Sequence, residues 1–278
     1  MRGQPKSHLT PMFQQYFEIK SKYPDCILFF RLGDFYEIFF EDAETVAPIL
    51  GLVLTKREAG KNLSAPMCGV PADKGDLYIY RLLEYGFKIA VCEQLEDPAL
   101  AKGLIKRDVV KIYTPGLFYD LNFLKEKEKN YLAAIYMGKQ IGLALIELSC
   151  GEFLYTSLPK EKVMTELLKR EPKEILIEET QKEDLLIKEL KQYLRSLHIS
   201  PLEKSAFFKN KDKFDLSNIS EEALSALSAI YYYIQLHQPY LLDKLSLPSF
   251  FYPEEYLYLD EKTKDHLELI KNLWDKSE

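Results

Sequence analysis

Gly33-Asp34-Phe35-Tyr36-Glu37 lies between two apolar runs, residues 26–30 on its N-terminal side and residues 38–40 on its C-terminal side. Glycine tolerates a positive φ angle at the first position of a two-residue turn, so this pattern predicts a β-hairpin. Side chains alternate between the two faces of a strand, which places Phe35 and Glu37 on one face and Tyr36 on the other. The sequence therefore predicts a flat apolar ring beside a carboxylate, directly after a tight turn.

A phenylalanine and a carboxylate on one exposed face have a use in DNA binding. Proteins that kink DNA insert apolar side chains such as Phe35 between base steps. Phosphates repel a carboxylate, so Glu37 fits such a surface only if it reaches past the backbone to the edge of a base. The alternative for these two residues alone is an ordinary strand, with the ring in the core and the carboxylate at its rim.

The surrounding sequence resembles the DNA mismatch-repair MutS family in an ordered series of short motifs. These are residues 10–16, 33–39 followed by Glu41-Asp42-Ala43, 54–57, 66–71, 92–94, 97–98 and 114–116. Phe-x-Glu alone is a weak motif, but the ordered set is specific over about the first 120 residues and looser beyond them. It points to the mismatch-binding branch of the family.

The resemblance implies an α/β protein with two domains and the start of a third. Residues 1–117 are expected to form a mixed α/β mismatch-recognition domain and residues 118–248 a ribonuclease H-like α/β connector domain. Residues 249–278 would begin a truncated core and lever domain with a short strand and a helix. The chain is then expected to be the N-terminal part of a longer protein.

The resemblance also implies which residues contact DNA. Phe35 would be the wedge and Glu37 the base contact, with Glu37 binding in its protonated form as a donor to a purine N7 or a pyrimidine carbonyl. Arg57 and Arg107 would hold phosphates. Met67, in a loop near the minor groove, would pack against the backbone or the wedge, or else be an ordinary core methionine.

Two further cations belong to the predicted DNA surface. Lys56 and Lys61 flank Arg57 in a segment predicted to be a polar loop. Between positions 56 and 111 there are ten basic and eight acidic residues, an excess of positive charge in a protein whose net charge is −6. The acidic total, with a pI of about 5.5, argues against a strongly basic nucleic-acid binder but leaves room for one basic surface.

The partners implied by the family are mismatched double-stranded DNA, a MutL-type repair protein at the connector, and a second MutS subunit in the full-length protein. The competing function is a protein-interaction module that docks the MutL-type partner. The four widely spaced cysteines suit a reducing cytosol, and no signal peptide or membrane span is predicted. We expect a cytoplasmic, nucleoid-associated protein without a membrane partner.

No catalytic or metal-binding motif is present in the sequence. The pattern G-x-x-x-x-G-K-[ST] is missing, because Gly60-Lys61 is followed by Asn62 and Gly138-Lys139 by Gln140. ATP and Mg²⁺ are therefore expected only in the ATPase domain of a full-length protein, and this chain is expected not to be an enzyme. A nuclease site would need clustered carboxylates, and Glu147 and Glu152 have no evident companions.

The remaining elements are predicted from local patterns. In the first domain we expect helices at residues 10–22, 41–47 and 76–87, strands at 52–55, 88–95 and 109–113, and a rigid turn at 66–71. Pro48 should kink or tighten its helix, and Gly51 should end it. In the second domain we expect strands at 131–136, 141–146, 153–155 and 174–177, helices at 160–170 and 220–238, and a linker at 120–130. A strand at 256–260 and a helix at 263–274 complete the prediction.

Overall fold

The hairpin predicted around Gly33 forms the centre of a six-stranded sheet in the computed structural model, which describes residues 9–61, 63–96, 103–119, 129–214 and 219–253. The strands are Cys26–Leu32 (β1), Phe35–Phe39 (β2), Thr55–Gly60 (β3), Leu63–Pro71 (β4), Lys88–Gln94 (β5) and Arg107–Tyr113 (β6). Their order is β3-β4-β2-β1-β5-β6, with β1 and β5 parallel and the other neighbours antiparallel. Strand β2 is therefore hydrogen-bonded on both sides.

Three helices cover the two faces of this sheet: Pro11–Lys20 (α1), Phe40–Leu50 (α2) and Gly75–Glu84 (α3). Helix α1 packs Phe13, Tyr16 and Ile19 against one face, while α2 and α3 pack against the other. Pro48 lies inside α2, and Gly51 ends that helix in the left-handed conformation, as predicted. Each face buries its own apolar cluster, which accounts for much of the stability of the sheet.

Three predictions for the first domain are wrong. The expected polar loop at Lys56 is the edge strand β3, and the expected turn at residues 66–71 belongs to β4, whereas Leu52–Leu54 forms no strand. The backbone of β4 supplies hydrogen-bond partners to the edge of β2 that faces away from β1. This stabilisation cannot be predicted from the local strand propensity of the β4 residues. The last pair between β2 and β4 is Phe39 with Met67, so Pro66 has no partner on β2 and pairs only with Lys56 of β3. The missing N–H of Pro66 therefore removes no hydrogen bond to β2.

A second six-stranded sheet follows. Its strands are Tyr131–Met137 (β7), Ile141–Glu147 (β8), Glu152–Leu158 (β9), Glu174–Glu178 (β10), His198–Leu202 (β11) and Ser249–Phe250 (β12), in the order β11-β10-β7-β8-β9-β12. Strands β7, β8 and β9 are antiparallel, and β10, β11 and β12 join in parallel. One face carries Glu221–His237 (α6), and the other carries Lys160–Arg170 (α4) and Leu185–Tyr193 (α5).

The α/β architecture with two sheets is confirmed, although α5, β11 and β12 were not predicted. Most of the predicted linker, residues 120–128, and the predicted strand and helix after residue 253 lie outside the described residues. Within the described ranges, no helix is both long enough and apolar enough to cross a membrane.

A buried carboxylate joins the segment after β6 to the second sheet. Glu174 at the start of β10 is fully buried and accepts hydrogen bonds from Thr114, Gly116, Ser200 and Tyr233. Residues 114–116 follow the last strand of the first sheet, so these bonds attach the two halves of the chain to one another.

Candidate nucleic-acid interface

Phe35 lies at the tip of the β1–β2 hairpin. Leu32 pairs with Phe35 across a two-residue turn, and Gly33 has φ +59°, the positive angle that the glycine was predicted to supply. The Phe35 ring is 46% exposed, while Tyr36 is buried on the opposite face. The hairpin, the side-chain alternation and the exposed ring are confirmed, and they present an apolar ring on a strand that is paired on both edges.

Glu37 lies on the same face as Phe35, two residues further into the strand. It pairs with Gly69 of β4, and a Cβ atom at Gly69 would lie 2.8 Å from Glu37 Oε2. That oxygen is buried and has no hydrogen-bond partner among the described residues. Burial raises the pKa of the Glu37 carboxyl group, and the nearby charge of Arg57 opposes this shift. The carboxyl group therefore holds its proton to a higher pH than an ordinary glutamate does.

Strand β3 carries the predicted basic residues. Arg57 pairs with Ala65, and the register of β4 and β2 puts Arg57 on the same face as Glu37, with Lys56 on the other face. Lys61 follows the end of β3, and all three side chains are exposed. Because β3 is an edge strand, these cations are free to meet a negatively charged ligand along that edge, and they also discourage pairing with another strand.

Met67 lies on the face of Glu37 and Phe35 but deeper in the sheet. It pairs with Phe39 on one side and Thr55 on the other, is half-buried, and packs against the cluster under α1. This position agrees better with a methionine at the edge of the core than with one in contact with the wedge.

The structure separates Arg107 from this group. Arg107 is 9% exposed, and its guanidinium donates to Arg31 O at 2.8 Å, to Gln15 Oε1 at 3.1 Å and to Ile105 O at 3.0 Å. It also lies over the Phe30 ring, and burial lowers its pKa. These contacts fix the start of β6 to β1 and α1, so most of the donor capacity of Arg107 is used within the protein.

Two residues near the hairpin were missed by the sequence analysis. Arg31 lies beside the turn, where its Nε donates to Gly33 O and its guanidinium lies 5.3 Å from the centre of the Tyr36 ring. Gly69 interrupts an apolar strand, and a glycine in that position signals the close approach of another group. That signal was present in the sequence but did not identify Glu37 as the approaching group.

A second surface lies in the half of the chain that contains α6. Lys209, Asn210 and Lys213 line a shallow cavity of about 490 Å³ together with residues of α6. The Asn210 side chain is buried, and its Nδ2 has no hydrogen-bond partner among the described residues. Leu236, 56% exposed, also lines the cavity, and Phe208, 36% exposed, lies nearby under the ammonium group of Lys211. Asp212 also lines the cavity and pairs with Lys213 at 3.7 Å, so the surface has a small excess of positive charge and an apolar border.

Comparison with known proteins agrees with the division into two sheets. The family model "MutS domain I" matches residues 10–122 and the model "MutS domain II" matches residues 130–246. The chain is similar to proteins named DNA mismatch repair protein MutS from Acetivibrio thermocellus (42% identity, 97% of this chain, 33% of the relative) and Clostridium tetani (42%, 97% and 31%). A relative of the same name from Ruminiclostridium cellulolyticum is 40% identical over 97% of this chain and 32% of its own length. The chain thus spans about a third of the length of these relatives.

Proposed function

Because the chain belongs to the MutS family of DNA mismatch-repair proteins, we propose that it binds mispaired or looped double-stranded DNA by inserting Phe35 beside a base. The observation that carries this proposal is the exposed Phe35 ring at the tip of a hairpin whose second strand is paired on both sides. An apolar ring that is 46% exposed on such a rigid support matches the wedges that unstack and kink DNA.

The energetics of unstacking explain how a wedge discriminates without a sequence-specific contact. Opening a base step costs a few kcal/mol. The cost is lower where pairing is already broken, and bending is easier at poorly stacked sites. Phe35 would therefore bind a mispair more tightly than matched DNA mainly because less energy is spent on deforming the duplex.

Glu37 is proposed to contact the base beside the wedge. Its pKa is raised by burial, and nearby DNA phosphates would raise it further. A protonated carboxyl group can donate a hydrogen bond to a purine N7 or a pyrimidine carbonyl. Glu37 would then attract a base edge without repelling the phosphates around it.

The basic residues are proposed to fix the duplex in place. Arg57, Lys56 and Lys61 would contact phosphates along the β3 edge, contributing affinity but no sequence information. The family resemblance also proposes Arg107 for this role, although its bonds inside the protein favour a structural one. Met67 would support the sheet beneath the wedge.

The proposal is tested by fluorescence anisotropy at low salt, with a duplex carrying a G·T mispair or a single-base loop and with its matched control. The wild-type chain should prefer the lesion, and Phe35→Ala should abolish the preference. Val53→Ala is the matched control, because Val53 is also an exposed apolar residue of the first domain but lies outside the hairpin. Preference retained by Phe35→Ala would contradict the wedge, and weak binding without preference in the wild type would contradict recognition by this chain alone.

A second function, docking of a MutL-type repair partner, is favoured by the basic surface beside α6. Its lysines and its exposed Leu236 and Phe208 suit an acidic partner surface with apolar residues. Replacing Lys209 and Lys213 together by Glu should weaken binding to a MutL-type protein while leaving DNA binding unchanged. Unchanged partner binding would place the docking surface elsewhere.

ATP hydrolysis, Mg²⁺ binding and pairing with a second subunit are proposed to belong to the parts of the relatives that this chain does not span. The matched models are MutS domains I and II, and the pattern G-x-x-x-x-G-K-[ST], typical of a phosphate-binding loop for ATP, does not occur in the sequence. Within the described residues, no group of three or more His, Cys, Asp or Glu side chains could hold a metal ion. A role in DNA repair would place the protein in the cytoplasm with the nucleoid.

A further inference from the structure

The carboxyl group of Glu37 occupies the space that a side chain at position 69 would fill. Glu37 and Gly69 are direct partners in the antiparallel pair of β2 and β4. A Cβ atom on Gly69 would lie 2.8 Å from Glu37 Oε2, 3.2 Å from Cδ and 3.5 Å from Oε1. The carboxyl group therefore lies across β4, against the Gly69 backbone. We call this space the Gly69 gap.

We propose that Gly69 is a positioning residue for Glu37, because the missing side chain leaves the gap in which Oε2 of the carboxyl group is buried beside the wedge. This inference rests on the proposed function of Glu37 as a base contact. It adds a second residue, on another strand, that determines where the carboxyl group lies and how well it is hydrated.

The surroundings of the Gly69 gap give this position a chemical consequence. Oε2 is buried without a hydrogen-bond partner among the described residues, so no hydrogen bond from them compensates an ionised carboxylate at that atom. The titratable groups within electrostatic reach are Arg57 on β3, which favours the ionised form, and Cys68 on β4, whose thiol pKa is raised by burial and further by the Glu37 charge. From β1 the facing residue is the apolar Phe30, and α1 covers the neighbouring part of the face with aromatic rings. Burial therefore outweighs Arg57.

A side chain at position 69 would remove this arrangement without disturbing the backbone. The φ angle of Gly69 is outside the positive region, so alanine is allowed there, and the atoms it would meet are the mobile end of Glu37. Gly69→Ala should push the carboxyl group out of the gap into water. The hydrated group should then titrate nearer to the ordinary glutamate value, and it should be ionised at a lower pH than in the wild type.

The first test needs no DNA. The carboxyl carbon of Glu37 is followed by NMR as pH is varied in the 278-residue chain, and its resonance is assigned by its loss in Glu37→Gln. Gly69→Ala should move the titration to lower pH. Ser64→Ala, a change in the exposed part of the same strand, should leave it unmoved. An unchanged Glu37 titration in Gly69→Ala would overturn the inference.

The second test connects the gap to DNA binding. The preference for a G·T duplex over a matched duplex should decline as pH rises in the wild type, and Gly69→Ala should move that decline to lower pH. In a Glu37→Gln background, Gly69→Ala should have no effect on the pH profile. A pH-independent loss in that background would show a merely structural role and refute positioning.

The two tests separate this inference from the proposed function. If the wild-type chain shows no preference for the mispair, the proposed function fails, and the NMR titration alone still decides whether Gly69 sets the state of Glu37. If Phe35→Ala abolishes the preference for the mispaired duplex and Gly69→Ala leaves it intact at every pH, the wedge function of Phe35 is supported and the positioning role of Gly69 is refuted.

Discussion

Thr114 donates a 2.6 Å hydrogen bond from Oγ1 to Glu174 Oε2, linking the segment after the first sheet to the first residue of β10 in the second. The same oxygen accepts the Gly116 N–H, and the other carboxylate oxygen accepts the hydroxyl groups of Ser200 and Tyr233. Burial acts to raise the pKa of Glu174, but the hydrogen bonds from Ser200, Thr114 and Tyr233, together with the charge of His198, hold it below its ordinary value. These hydrogen bonds satisfy a carboxylate that would otherwise be costly to bury.

Removing Glu174 should therefore destabilise the protein. Glu174→Ala strands several buried donors, each worth about 1–3 kcal/mol when left unsatisfied. Urea unfolding should show a loss of several kcal/mol, whereas Glu179→Ala, on the exposed turn after β10, should change stability by about 0.5 kcal/mol or less. Equal stability of the two variants would show that the junction contributes little.

The carboxyl group of Glu174 should also make the stability of the wild type depend on pH in the acidic range. Because its pKa is lowered in the folded state, Glu174 contributes stability above the ordinary glutamate value of 4.5, and that contribution is lost as pH falls from there through the lowered folded value. Urea midpoints measured across the acidic range should fall more steeply for the wild type than for Glu174→Gln. Parallel curves would contradict the assignment.

Lesion binding should weaken as pH rises if Glu37 binds as a protonated donor. The folded pKa of Glu37 is raised, so its protonated form is populated at low pH and lost as pH rises through that value. Glu37→Gln, which keeps a donor, should retain much of the preference for a mispair and remove its pH dependence, while Glu37→Ala should lose both. If Glu37→Gln loses the preference as fully as Glu37→Ala, the donor is not the reason for it.

Arg57 should contribute to DNA binding through phosphate contact. Each phosphate neutralised by a cation contributes a slope of about −0.9 to log K against log salt. Arg57→Ala should therefore flatten this slope by about one and weaken matched and mispaired duplexes alike. Lys139→Ala, an exposed cation in the β7–β8 turn, is the control and should leave the slope unchanged. If Arg57→Ala lost the preference for mispaired over matched DNA without changing the salt slope, Arg57 would instead be assigned to base recognition.

Replacing Arg107 should lower the stability of the protein and leave its phosphate contacts with DNA unchanged. Its guanidinium donates to two backbone carbonyls and to Gln15, so Arg107→Ala should cost about 1–3 kcal/mol in urea unfolding. The salt slope of DNA binding should not change in buffers where the variant is folded. A slope reduced by about one, with full stability, would restore the phosphate role that the family resemblance implies.

The sequence predicts the parts of the fold that depend on neighbours in the chain. Gly33 and Asp34 specify their hairpin locally, and the alternation that exposes Phe35 follows from it. The strands β3 and β4 were missed because charged residues and prolines dominate them locally, and what makes them strands is the unpaired edge of β2. Which strand pairs with that edge is decided by the three-dimensional arrangement of the sheet and cannot be seen in the local sequence.

The candidate site shows the same limit. Phe35, Glu37 and Arg57 were named from motifs, and the sheet register brings them to one face. Burial of Arg107 depends on Gln15, 92 positions earlier, and on the Arg31 carbonyl. The gap beneath Glu37 depends on Gly69 in another strand. Contacts between distant segments decide these properties, and no local pattern reports them.

The inner position of β2 has a mechanical consequence for recognition. When two elastic bodies press together, most of the strain goes into the softer one. The strand behind Phe35 is braced by β1 and β4 on either side and leads without a loop into α2, so it is stiff, whereas a duplex with a mispair is locally soft. A ring on a flexible loop would give way on any duplex. If Phe35 inserts into DNA as proposed, the braced ring would make the DNA yield, and binding would then depend on how easily each base step deforms.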